Sequence, residues 1–146
     1  MQTSPQPAVP AQTLFVSRMF DETVQLLIES HEYLSTAGGE VHYVTPVERL
    51  VYSAEVSRLT LRISSVMAWL LARKAEAAGQ ISRSDAVTQF RLGFREICLK
   101  ELPAMHQVLP PPMCELLERS RDMYRRAMRL DRMILPESET DCATVH

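Results

Sequence analysis

Four histidines, three cysteines and one tryptophan carry most of this chain's chemical scope. His31 and His42 lie near the first loop, His106 in a proline-rich connector and His146 at the last position. No Glu-x-x-His occurs, so the inward di-iron arrangement of carboxylate bundles has no basis here. No His-Glu-x-x-His, phosphate-cradling glycine loop or Gly-x-Ser-x-Gly is present either. Cys98, Cys114 and Cys142 are odd in number and no two have metal-site spacing, which points to a reduced setting. The residues therefore predict a protein that is no enzyme and needs neither metal nor cofactor. Two alternatives stay open, a generic helical dimerisation module and a phosphorelay bundle. A phosphorelay bundle exposes a histidine on a long helix, and His31 in Glu29-Ser30-His31-Glu32-Tyr33-Leu34 is the candidate. The lysine-glycine pair such a site would have after it is missing.

Glu55, Arg58, Arg62 and Trp69 fall on one side of a long helix at three-, four- and seven-residue steps. They read in two ways. One is an intrahelical pair, Glu55 with Arg58, beside a partly buried tryptophan. The other is a docking patch, because arginine and tryptophan dominate protein interfaces. Met19, Met67, Met105, Met113, Met123, Met128 and Met133 fit a core better than a binding surface.

The elements that hold these residues are marked by proline. None lies between Val47 and Leu102, which leaves room for long helices. A first helix is predicted over 14–36, with Val16, Phe20, Val24, Leu27 and Leu34 inward and Phe15, Met19 and Leu26 widening the face. Gly38-Gly39 ends it. Thr45-Pro46-Val47-Glu48 reads as a capping box opening a helix over 46–78, and Gly79 as its left-handed stop. Tyr52, Val56, Leu59, Ile63, Val66 and Leu70 form one stripe of it. Leu50, Ala54, Leu61, Ala68, Leu71 and Ala75 form a second, so burial on two faces is expected. Ser82-Arg83-Ser84-Asp85 is another capping signature, and 83–101 is predicted to be a shorter helical or irregular segment. A last helix is predicted over 112–134.

The expectation is an all-α three-helix bundle at 14–135 between disordered tails, 1–13 and 136–146. The long second helix overhangs its neighbours, and a second subunit is expected to cover the excess as a homodimer. The chain has 146 residues, 46% apolar and 23% charged, the balance of one soluble globular domain. A net charge of −2, 4 glycines and 6% aromatics argue against a nucleic-acid binder. The longest uncharged stretch in the apolar centre, Ile63 to Ala72, falls short of the ~20 residues a bilayer demands. The opening residues have no signal-peptide pattern, so the protein is expected in the cytoplasm.

Several blocks resemble one family. They are Tyr52-Ser53-Ala54-Glu55, Arg58-Leu59-Thr60-Leu61-Arg62, Trp69-Leu70-Leu71 and Gly79, then Arg91-Leu92-Gly93, Cys98, Leu102-Pro103, Arg119-Ser120, Tyr124 and Leu130-Asp131. Together they look like the regulator-of-CtrA-degradation family of alphaproteobacteria, over roughly 14–132. The resemblance implies a dimeric three-helix bundle without catalytic residues. It implies an adaptor for the ClpXP protease, acting once a single-domain response regulator has primed it, with cell-cycle regulators or a second adaptor as cargo. It also implies a protease-facing C-terminal segment, here Pro136, Glu137, Glu139, Asp141 and His146, although the family's segment does not align with it residue by residue.

Overall fold

The structure is a computed structural model describing residues 11–36, 45–100 and 107–134. The predicted outer tails and the loop carrying Gly38, Gly39 and His42 lie wholly or mostly outside these residues. Among the described residues five helices form: α1 (Ala11–Thr36), α2 (Pro46–Ala77), α3 (Arg83–Gln89), α4 (Arg95–Cys98) and α5 (Pro111–Met133). No strand occurs among the described residues.

α2 begins and ends as its sequence dictates. The Thr45 side chain accepts from the Glu48 N–H at 3.2 Å, and Glu48 accepts from the Thr45 N–H at 3.2 Å. At the other end Gly79 takes φ 74°. Its N–H donates to the Glu76 carbonyl at 3.0 Å, and the next N–H, of Gln80, donates to the Ala75 carbonyl at 2.9 Å. This pair of bonds is the Schellman stop, which needs a left-handed residue where only glycine is unstrained. Ser82 caps α3 by accepting from the Asp85 N–H at 3.0 Å.

α1, α2 and α5 make the bundle. Residue pairs across it give the directions. Glu29 pairs with Arg119 and Glu22 with Arg126, so α1 runs antiparallel to α5. Arg62 meets Leu117 and Trp69 meets Asp131, so α2 and α5 run parallel. Parallel helices need a return path. α2 has 32 residues, about 48 Å at 1.5 Å each, and the chain must travel back along most of that length before α5 starts. Residues 80–100 make the described part of this return, with α3 and α4 laid against α2. The segment expected to be helical or irregular is both: Phe90 and the four residues after it are irregular and separate two short helices.

The core joins Leu59, Ile63, Val66 and Leu70 of α2 to Met113, Leu117 and Tyr124 of α5. On α1 the inward stripe is Val16, Met19, Thr23, Leu26 and Ser30. This corrects the sequence reading, in which Leu27 and Phe15 faced inward; both are exposed. Two small polar residues sit on the buried line. Thr23 donates to the Met19 carbonyl at 2.7 Å and lies 3.0 Å from the Met123 sulfur. The second apolar face of α2 is also largely uncovered: Val47, Leu50, Ala54, Ala68 and Leu71 are exposed. The overhang argument placed the uncovered surface at the far end of α2, whereas it runs along the helix.

Candidate functional site

Buried arginines organise the return segment. Glu55, Arg58, Arg62 and Trp69 are only 2%, 8%, 3% and 2% exposed, so the docking patch expected at these positions does not lie on the surface. The physical reason is a demand for donors. Short helices leave their last carbonyls without partners, and segment 86–98 contains two such ends. Arginine supplies donors in a fixed fork and keeps its charge when buried. Arg73 Nη2 donates to the Ala86 carbonyl at 2.7 Å and the Phe90 carbonyl at 3.4 Å. Arg62 Nε donates to the Cys98 carbonyl at 2.7 Å, and Arg58 Nε to that of Ile97 at 3.2 Å. Arg73, near the end of α2, clips the earlier part of the returning chain, and Arg58 and Arg62, nearer its start, clip the later part. Arg62 Nη1 also reaches the Leu117 carbonyl at 3.1 Å, tying α5 to the same point. The Glu55–Arg58 pair forms as the plainer of the two sequence readings had it.

A second knot fastens the middle of the segment. Asp131, 1% exposed, accepts from Trp69 Nε1 at 3.0 Å, Arg91 Nε at 3.0 Å, Arg95 Nη2 at 3.4 Å and the Leu92 N–H at 3.4 Å. A buried carboxylate is tolerated when its lone pairs are so occupied. The Tyr124 hydroxyl donates to the Gly93 carbonyl at 2.6 Å. Burial, then the neighbouring Cys98, pushes the Tyr124 phenol up to about 12. Burial, then repulsion from Arg58, brings Arg62 down to about 10, so it stays charged at neutral pH. Burial also raises the Cys98 thiol, which disfavours the reactive thiolate.

Held this way, the segment presents Phe90, Phe94 and Ile97 to solvent. Phe94 is 61% exposed and has φ 63°, a left-handed conformation that costs a non-glycine residue about 1–2 kcal/mol. The hydrogen bonds on either side keep it there.

At the far end of the bundle lies a cleft of about 780 Å³. Phe15 and Val16 of α1, Trp69 of α2 and Leu130 and Ile134 at the end of α5 give it apolar walls. Arg73, Lys74 and Arg83 bring positive charge, and the first turn of α1 borders it.

Other candidates fall elsewhere. His31 stands exposed near the end of α1. His42, His106, His146, Cys142 and the segment from Pro136 through Glu137, Glu139 and Asp141 lie outside the described residues. Among the described residues no three His, Cys, Asp or Glu side chains gather as metal ligands, and no helix is long and apolar enough to cross a membrane. Sequence reasoning missed Arg73 and the hub role of Asp131. Arg73 had a signal: it stands four residues after Trp69, on the row already picked out.

Comparison with curated protein sequences gives no match. The family model described as "Protein of unknown function (DUF1465)" matches residues 10–145. Among solved structures the chain is similar to RcdA from Caulobacter crescentus CB15, with 30% identity and a TM-score of 0.65, over 82% of this chain and 89% of that one. The blocks quoted from the sequence supply much of the buried network, namely Glu55, Arg58, Arg62, Trp69, Arg91, Ser120, Tyr124 and Asp131. Matched along nearly its whole length and sharing its fold with RcdA, the chain belongs to the regulator-of-CtrA-degradation family.

Proposed function

We propose that this protein is a non-enzymatic adaptor of regulated proteolysis in the cytoplasm. It binds cell-cycle regulators, or a second adaptor carrying them, and delivers them to ClpXP primed by a single-domain response regulator. The observation that carries this reading is the likeness to RcdA at 30% identity over 89% of that chain. In this reading Phe90, Phe94 and Ile97 form the cargo surface. Glu55, Arg58, Arg62 and Trp69 act as positioning residues that hold the surface from beneath. The exposed residues Val47, Leu50, Ala54, Ala68 and Leu71 of α2, with half-buried Leu61 in the same row, pair with a second copy as a homodimer, because small residues between the leucines let two helices approach closely. Pro136, Glu137, Glu139, Asp141 and His146 belong to the protease-facing arm. An adaptor of this kind works by local concentration: two modest contacts on one scaffold raise avidity by ~10²- to 10⁴-fold.

The test is degradation of a purified cell-cycle regulator by ClpXP with the response regulator present. Adding this protein is expected to speed degradation, and Phe94→Ser is expected to abolish the gain while leaving the fold intact. An unchanged degradation rate with the native protein would overturn the reading.

A further inference from the structure

The cleft between the ends of α1, α2 and α5 has the chemistry of an acidic-peptide site. Arg73 is 6% exposed, yet its Nε and Nη1 have no hydrogen-bond partner. The nearest carboxylate oxygen to Nη1 is that of Glu76, at 3.6 Å. A buried guanidinium normally satisfies its donors, so two idle N–H groups beside a cleft mark a place for an acceptor. Arg83 is largely exposed at the same rim. The first turn of α1, with its backbone N–H groups unpaired within the helix and no acidic residue, adds positive potential. Glu76 is the single acid of the lining and is already shared between Arg73 and Arg83.

We propose that the occupant is the chain's own segment 135–139, with Leu135 on the apolar wall and the Glu137 carboxylate on Arg73 and Arg83. Three observations select it. Ile134, the residue before it, already lines the cleft. Three extended residues span about 10 Å, so Glu137 stays within that reach of the wall that Ile134 forms. Charge decides between the two tails that border the cleft: residues 1–10 contain no Asp or Glu, whereas 135–146 contains Glu137, Glu139 and Asp141 and no Lys or Arg. A tethered segment meets its site at an effective concentration of about a millimolar, so even a weak contact is well populated. The arm then has two states, docked on the bundle and released to a partner. The docking does not depend on the adaptor reading.

Nuclear magnetic resonance of the full ¹⁵N-labelled chain tests it. The probes are the Arg73 and Arg83 Nε–H resonances, the amides of residues 11–13 and the heteronuclear NOE of residues 135–139. Glu137→Gln with Glu139→Gln is expected to move the first two sets and to lower the NOE to the values of a free tail. Adding a synthetic 135–146 peptide to that variant is expected to return the cleft resonances towards their native positions. The Arg62 Nε–H, held by the Cys98 carbonyl and no part of the cleft lining, reports that the fold is unchanged. Cleft resonances indifferent to the substitutions would overturn the proposal. So would shifts of the Arg73 and Arg83 Nε–H on replacing residues 1–10 with a Gly-Ser sequence of equal length, or cleft shifts that vanish on dilution, which would identify a second copy as the occupant.

Discussion

Asp131 spends its whole acceptor capacity on one segment. Replacing it with alanine leaves the Trp69 N–H and the Leu92 N–H without a partner and loosens Arg91 and Arg95. Asp131→Ala is therefore expected to cost about 3 kcal/mol in urea unfolding. Arg95→Ala is expected to cost less than about 1 kcal/mol, because that side chain is 39% exposed and water replaces its bond. Tyr124 gives a test in pH. Its folded value of about 12 lies above the ordinary 10, so the proton is held more tightly in the native state. The stability it contributes is complete below pH 10 and is lost as pH rises from there towards 12. Tyr124→Phe removes the bond to Gly93 and is expected to cost ~1 kcal/mol at pH 8. The unfolded native chain gains about 1.4 kcal/mol by ionising its tyrosine at pH 11, so the two proteins should there be about equally stable. Urea unfolding at the two pH values checks this.

At the level of the element, α2 divides into what local rules settle and what they leave open. Its capping box and its glycine stop were legible, since both depend on residues within a turn of each other. Which of its two apolar stripes is buried was not, because periodicity assigns a face without naming its partner. The outward row runs the length of the helix from Val47 through Leu50 and Leu71. Leu50→Glu with Leu71→Glu is expected to convert a dimer to a monomer in light scattering at tens of micromolar. The melting temperature of the separated subunit should change little, since both side chains are exposed within it. α1 shows the opposite limit. Its buried line contains Thr23 and Ser30, so a reading by apolar spacing turned the helix towards Leu27. Thr23 is admitted to the core because its hydroxyl returns to the Met19 carbonyl.

For the whole molecule, the parallel course of α2 and α5 is the deciding feature. It obliges segment 80–110 to run back along the bundle, and the arginines of α2 become the clips of that return. In the proposed function, bundle, clipped segment and acidic arm have separable tasks. Cutting the chain after Leu135 is expected to leave cargo capture in pull-down intact and to reduce accelerated ClpXP degradation by at least tenfold, since one of two tethers is gone. Equal degradation by the cut and full-length proteins would assign the arm no part in delivery.

The sequence by itself determined the number of long helices, both ends of α2 and the all-α class, because proline, glycine and capping residues act on their immediate neighbours. Its central blocks also identified the family. The tertiary structure alone decided what those blocks are for. Arg58, Arg62 and Trp69 look like surface residues on a helical wheel. Their partners are carbonyls and a carboxylate 36 to 62 residues further along the chain. No local rule carries that distance. Only the packed bundle brings Ile97, Cys98 and Asp131 to α2, and only then does a charged row become an interior one.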